Sequence, residues 1–323
     1  MKMRGLVPSS LIVPVVLAGA GLYALFGTSA SVGDMLIHTL IWAGIASAWN
    51  LTAGYAGRLS LGNAAYFGIG AYASSILYMK FGISPWLGGL VGMTLAAVVG
   101  GLIELTTIRL LGIYYGLATF AIAELLSILA RGWNDLTGGT TGLTLPFRAE
   151  LVNMTFAGKP GYLWTALAYA ALCIVVVLLI TRSRYGFYLQ AQRDEPVAAK
   201  SLGVATGRVC VSAGIISAAL TALGGTIYAQ YLLYIDPDIG FNWYISVQAA
   251  LLCLMGGLGT ITGPVLGALL LVPLERWLNS VLGSEYGGLA PAVYGVLLIV
   301  IVLVLPRGLI SLVARRRARP VRP

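Results

Sequence analysis

Apolar residues run along the chain in long blocks, without the strict alternation of a half-buried strand. Blocks of about twenty residues, the length a helix needs to cross a hydrocarbon core, fall near 10–27, 34–54, 60–79, 83–103, 110–130, 162–181, 209–234 and 289–306. The stretch 244–280 has room for two, divided where Gly and Pro cluster at Gly259–Pro264. In lipid a backbone must satisfy its own polar groups, and a helix does this within one segment. The runs also lack the dyad pattern of a membrane barrel. The pattern predicts an all-α integral membrane protein: a single domain over 1–323, a bundle of about ten spans.

One stretch interrupts this pattern. "SRYGFYLQAQRDEPVAAKSLGV", residues 183–204, carries Arg184, Arg193, Asp194, Glu195 and Lys200 between long apolar runs. Pro196 cannot donate a backbone hydrogen bond, which suits the first turn of a helix. Asp194 and Glu195 precede it as cap and first-turn residues, their charge opposing the positive helix end. "VAAKSL" continues the helix, and Gly203 is placed to end it in a left-handed conformation. Ala198 and Ala199 keep it narrow. So short a helix is marginal alone in water and calls for a surface to dock on. A linker that merely joins two spans stays open as the plainer reading.

Composition agrees with the blocks. The chain is 59% hydrophobic and 10% charged, with a mean hydropathy of +0.90, more apolar surface than a soluble domain of this size hides. Its 42 glycines read as close helix packing. Gly259, Gly263 and Gly267, four apart, are expected on one helix face, and Gly88 and Gly92 likewise. Cys173, Cys210 and Cys253 lie in apolar runs and His38 is the one histidine, so no metal site is expected. The first 30 residues share the basic start and apolar centre of a signal peptide; a retained first span is the preferred reading.

The net charge of +9 reads as topology, not as nucleic-acid binding. Lys and Arg collect in cytoplasmic loops. The tail "RRRARPVRP" at 315–323, the stretch 182–208 and the start with Lys2 and Arg4 then all face the cytoplasm, which requires an even span count. The longest external loop is 131–161.

The chain has no GxxxxGK[ST] loop, no GxGxxG after a strand pattern and no assembly of Ser, His and Asp. It is expected to be no enzyme and to bind no cofactor. Active transport would then draw on an ion gradient or on ATP hydrolysed by a partner. An ion-coupled carrier keeps an ionisable residue inside a span, and Glu124 in "LATFAIAELLSIL" is the candidate; Asp34, Glu104 and Arg109 read as span-end residues. A structural or assembly role in the membrane is a third class.

Several stretches together resemble a known family. "SAWNLTAGYAGRLSLGNAAYFGIGAY" (47–72), "YYGLATFAIAELL" (114–126), "LTGGTTGL" (136–143), "TALGGTIYAQYLLYIDPD" (221–238), "LLCLMGGLGTITGPVLGALLL" (251–271) and "YGVLLIVIVLVLPRGLI" (294–310) resemble, in order, the permeases of bacterial branched-chain amino acid ABC transporters, the M-type subunit. The resemblance covers about 34–310, and the 183–204 patch resembles their cytoplasmic coupling helix. It implies that Arg193, Asp194, Glu195, Pro196, Ala198, Ala199 and Gly203 couple to an ATPase subunit. It also implies a second homologous permease, two ABC ATPases that hydrolyse the ATP, an extracytoplasmic solute-binding protein and a place in the bacterial inner membrane. Asn63 stands where the family commonly shows His, and relatives import urea, short amides or other small organic solutes, so those remain an alternative to aliphatic amino acids. Asn63 and Tyr66, one helical turn apart, with Thr119 and Glu124 are the expected path residues. Glu124 is read either as a path group or as a structural partner of a neighbouring helix.

Overall fold

The computed structural model describes residues 9–27, 29–110, 112–282, 289–304 and 308–310. The basic start and the 315–323 tail lie outside the described residues. The chain is helical almost throughout. The first half holds α1 (Ser9–Phe26), α2 (Ala30–Asn50), α3 (Asn63–Phe81), α4 (Pro85–Thr106), α5 (Ile113–Gly132) and the short α6 (Asn134–Thr137). The second half holds α7 (Lys159–Arg182), α8 (Arg184–Asp194), α9 (Pro196–Ser201), α10 (Thr206–Leu232), α11 (Pro237–Gly240), α12 (Trp243–Gly256), α13 (Gly263–Leu282) and α14 (Leu289–Val304).

Among the described residues, 7 segments are long and apolar enough to cross a membrane, and Val13–Leu25 and Pro291–Val300 are shorter apolar helices. α3 is absent from both groups for a physical reason. It carries Asn63, Ser74, Ser75 and three tyrosines and is buried on most sides, so protein and not lipid satisfies it. The seven are fewer than the ten expected.

α2, α3 and α10 form the centre. Ile37, Ile41 and Ile45 of α2 are fully buried, and α10 packs along both α3 and α4 while α2 packs along α7. Small residues set these distances. A Cβ on Gly70 of α3 would stand 1.9 Å from the Ala222 carbonyl oxygen of α10, and one on Gly225 would stand 2.1 Å from that of Phe67. Gly88 and Gly92 of α4 meet Ser74 and Gly70 of α3 in the same way.

Two details depart from the sequence pattern. The loop after α5 contains β1 (Leu143–Thr144), paired antiparallel with β2 (Tyr234–Ile235) in the register Leu143↔Ile235 and Thr144↔Tyr234. A ribbon this short leaves no periodic signal. The expected face of Gly259, Gly263 and Gly267 is also corrected. α13 starts only at Gly263. Gly259 sits before it with φ +73°, a conformation that serves the turn between α12 and α13 and excludes it from a helix face.

Candidate functional site

At one end of the bundle the charged patch folds as two helices. In α8, Leu189 is fully buried and holds the helix against the body. Its last residue, Asp194, accepts a hydrogen bond from Arg193 Nε at 2.9 Å. Glu195 is the N-cap of α9, without a side-chain capping bond, and Pro196 opens the helix. Gly203 adopts φ +83° with no atom near the position of a Cβ.

The seating of this patch differs from the sequence expectation at two residues. Arg193 points inward. Its Nη1 donates to the Gly54 carbonyl at 2.8 Å, in the π-helical turn Leu51–Tyr55 that prolongs α2. A Cβ on Gly259 would stand 2.8 Å from the same nitrogen, so one guanidinium spans the end of α2 and the α12–α13 turn. Ala199 is only 3% exposed; the chain itself covers it, and it belongs to the seat of α9. The outward face is the opposite one, where Val197 is 72% and Leu202 85% exposed, with exposed Ala198 and Ser201 between them.

Beside the patch lies a buried charge knot that sequence reading missed. Arg58 Nη1 bonds Glu104 Oε2 at 2.7 Å, with Glu104 2% and Arg58 11% exposed. The Tyr115 hydroxyl donates to the other Glu104 oxygen. Arg58 Nη2 donates to the Thr107 carbonyl at 2.9 Å, and the guanidinium lies 3.9 Å from the Tyr115 ring centre. The knot ties the loop before α3 to the end of α4 and the start of α5. Glu104 looked like an ordinary span-end residue because its partners are distant in sequence.

Three of the four expected path residues come together in the interior. Asn63 is 1% exposed; its Nδ2 lies 3.4 Å from Thr221 Oγ1, and its Oδ1 has no partner among the described residues. Thr119 is fully buried, accepts from the Leu61 amide at 3.0 Å and donates to the Gly116 carbonyl at 2.9 Å, beside Gly62. Tyr66 lies one turn along α3, also buried. Glu124 stands apart. Its carboxylate is 40% exposed and lies 3.7 Å from Arg131 on its own helix, not on a neighbouring one. Arg131 in turn bonds Asp238 at 2.9 Å.

Toward the other end, α2, α3, α10, α12 and α13 enclose an open cavity of about 480 Å³. His38, Trp42, Phe67, Tyr228, Glu275 and Arg276 are among the lining residues. Glu275 accepts from Tyr244 Oη at 3.0 Å and from Gln248 Nε2 at 2.7 Å. The signal for this site was present as two adjacent opposite charges in the otherwise apolar "LLLVPLERWL", since charges inside a span mark function by default.

The sequence itself is similar to that of known permeases. The family described as the permease component of branched-chain amino acid transport systems matches residues 31–305. The chain is 25% identical over 311 residues to the high-affinity branched-chain amino acid transport system permease protein LivM of Escherichia coli K12, covering 89% of this chain and 72% of that one. It is 27% identical over 287 residues to LivH of the same organism, covering 84% and 91%. It is 24% identical over 325 residues to a probable LivM permease of Methanocaldococcus jannaschii, covering 86% and 93%. No solved structure matches the chain.

Proposed function

The chain belongs to the family of permease components of branched-chain amino acid transport systems, and on that premise we propose that it is the membrane-spanning permease subunit of an ATP-driven importer for branched-chain or related aliphatic amino acids. It works with a second homologous permease, two ATPase subunits and an extracytoplasmic solute-binding protein, in a bacterial inner membrane. Ten spans run through that membrane: the seven long apolar helices, the two shorter ones and the protein-buried α3. Both termini and the α8–α9 patch face the cytoplasm.

The observation that carries this reading is the orientation of α9. Val197 and the following Leu202 point away from the chain, while Ala199 seats the helix on the bundle and Arg193, at the end of α8 just before it, ties the patch to Gly54. A helix seated in this way transmits force. Closure of the ATPase pair displaces α9, and Arg193 passes the displacement to the end of α2 and to the α12–α13 turn. The Arg58–Glu104–Tyr115 knot closes the same end when the cavity at the far end is open. ATP thus shifts the population between outward and inward access without chemistry on the permease. Asn63, Tyr66 and Thr119 supply a weakly polar stretch of the path, and Glu124 serves the external surface.

Two experiments test the assignment. The tagged chain is expected to bring down ATPase subunits from a solubilised membrane. In a Cys-free variant, an impermeant thiol reagent on intact cells is expected to label Thr141→Cys and to spare Ser183→Cys and Ser201→Cys. Labelling at 183 or 201 but not at 141 overturns the orientation.

A further inference from the structure

The cavity between α2, α3, α10, α12 and α13 has an arrangement of charge that no step above uses. Glu275 and Arg276 both line it, adjacent in sequence yet without an ion pair to each other. Among the described residues the Arg276 guanidinium has no hydrogen bond or ion pair at all, although it lies close enough to act electrostatically on Asp34 and His38. The other carboxylate and the imidazole of the lining are committed. Asp238 is held by Arg131 at 2.9 Å, and His38 Nδ1 is 3.0 Å from the Asp34 carbonyl. Glu275 receives one hydrogen bond on each oxygen, which leaves acceptor capacity on a group that offers about four lone-pair positions.

We propose that this cavity is a binding site for a zwitterionic aliphatic amino acid, in which Arg276 takes the carboxylate, Glu275 takes the ammonium, and Trp42, Phe67, Ile245 and Val272 face the side chain. The proposal rests on the transport reading above and locates where the permease itself touches the solute. A guanidinium presents a planar fork that matches a carboxylate. A lone anion meets Glu275 and a lone cation meets Arg276, so a ligand that carries both charges close together satisfies the site best. The apolar wall gives an alkyl chain a surface that urea or a short amide cannot use. One turn along α3 from Phe67, Asn63 Oδ1 is buried without a partner among the described residues. The site is weak by necessity, because conduction requires release as well as entry.

The test uses the assembled transporter in nanodiscs with Asn279→Cys as a reporter, since Asn279 is an exposed lining residue and the native Cys173, Cys210 and Cys253 are buried. Leucine at about 10 mM, roughly ten times a dissociation constant of about 1 mM, is expected to slow maleimide labelling about tenfold by simple occupancy. Leucinamide, which lacks the carboxylate, and isocaproate, which lacks the ammonium, are expected to protect far less. Arg276→Gln should remove leucine protection and Arg276→Lys should keep part of it; the analogue series needs neither variant to fold. ATP-driven leucine uptake is measured on the same complex. Equal protection by all three compounds, or none by leucine in a complex that takes leucine up, overturns the cavity assignment and leaves the transport reading standing. Selective protection in a complex that never takes leucine up upholds the site and removes the transport reading.

Discussion

Val197→Asp combined with Leu202→Asp is expected to lower ATP-driven uptake by about 100-fold or more, the equivalent of at least about 2.8 kcal/mol at about 1.4 kcal/mol per decade. The two side chains are 72% and 85% exposed, so the substitutions remove almost no packing within the chain and thermal unfolding in detergent should stay near wild type. Their effect falls on the partner. Apolar anchors at the centre of an interface carry a large share of its energy, and a carboxylate there is desolvated without a counter-charge. A pull-down of ATPase subunits and the coupling ratio of hydrolysis to uptake separate lost attachment from lost coupling. Ala199→Arg is a poorer probe than its place in the sequence suggests. It drives a long charge into a site the chain itself covers, and should lower stability as well as activity. Wild-type uptake by the double Asp variant would reduce α9 to a linker.

Glu104→Ala is expected to destabilise the bundle more than any exposed substitution, by about 3–5 kcal/mol, because it leaves the Arg58 guanidinium buried without its carboxylate. Thermal unfolding of the purified chain reads the loss directly. Arg58→Ala should act in the same direction through the stranded Glu104. The paired replacement Arg58→Met with Glu104→Leu should recover a good part of the stability, since a well-packed apolar pair avoids the desolvation cost of both charges. If the knot also closes the cytoplasmic end during the cycle, that double variant will be stable yet leak solute or hydrolyse ATP without uptake. Stability unaffected by Glu104→Ala would mean that water reaches the pair.

The contrast between Ala199 and Val197 shows where sequence reading stops. The break between α12 and α13, the start of α9 at Pro196 and the positive φ of Gly203 are local matters, set by Gly and Pro within a few residues. They were legible for that reason. Which side of α9 faces outward is not local. It depends on α8 lying against the body through Leu189 and on Arg193 reaching Gly54, a residue 139 positions away. The Arg58–Glu104 bond joins residues 46 apart, and no spacing rule connects them. Gly259 was misplaced because a four-residue repeat looks the same whether or not a helix has begun. α3 escaped a simple apolar criterion because its polar groups are satisfied by neighbouring helices, a property of the packed bundle. Glu275 and Arg276 are legible as adjacent opposite charges in an apolar run, whereas Glu124, the carboxylate that stands alone inside a span in the sequence, is partnered by Arg131 on its own helix.

The energy source is the most direct test of the whole account. Solute uptake should be measured in vesicles reconstituted with this permease, its partner permease, the ATPases and a solute-binding protein, with labelled leucine outside. The account predicts uptake that requires ATP inside the compartment that holds the ATPases, stops when they are omitted, and continues when the proton gradient is collapsed. Robust uptake by this chain alone, driven by a proton or sodium gradient and indifferent to ATP, would contradict it.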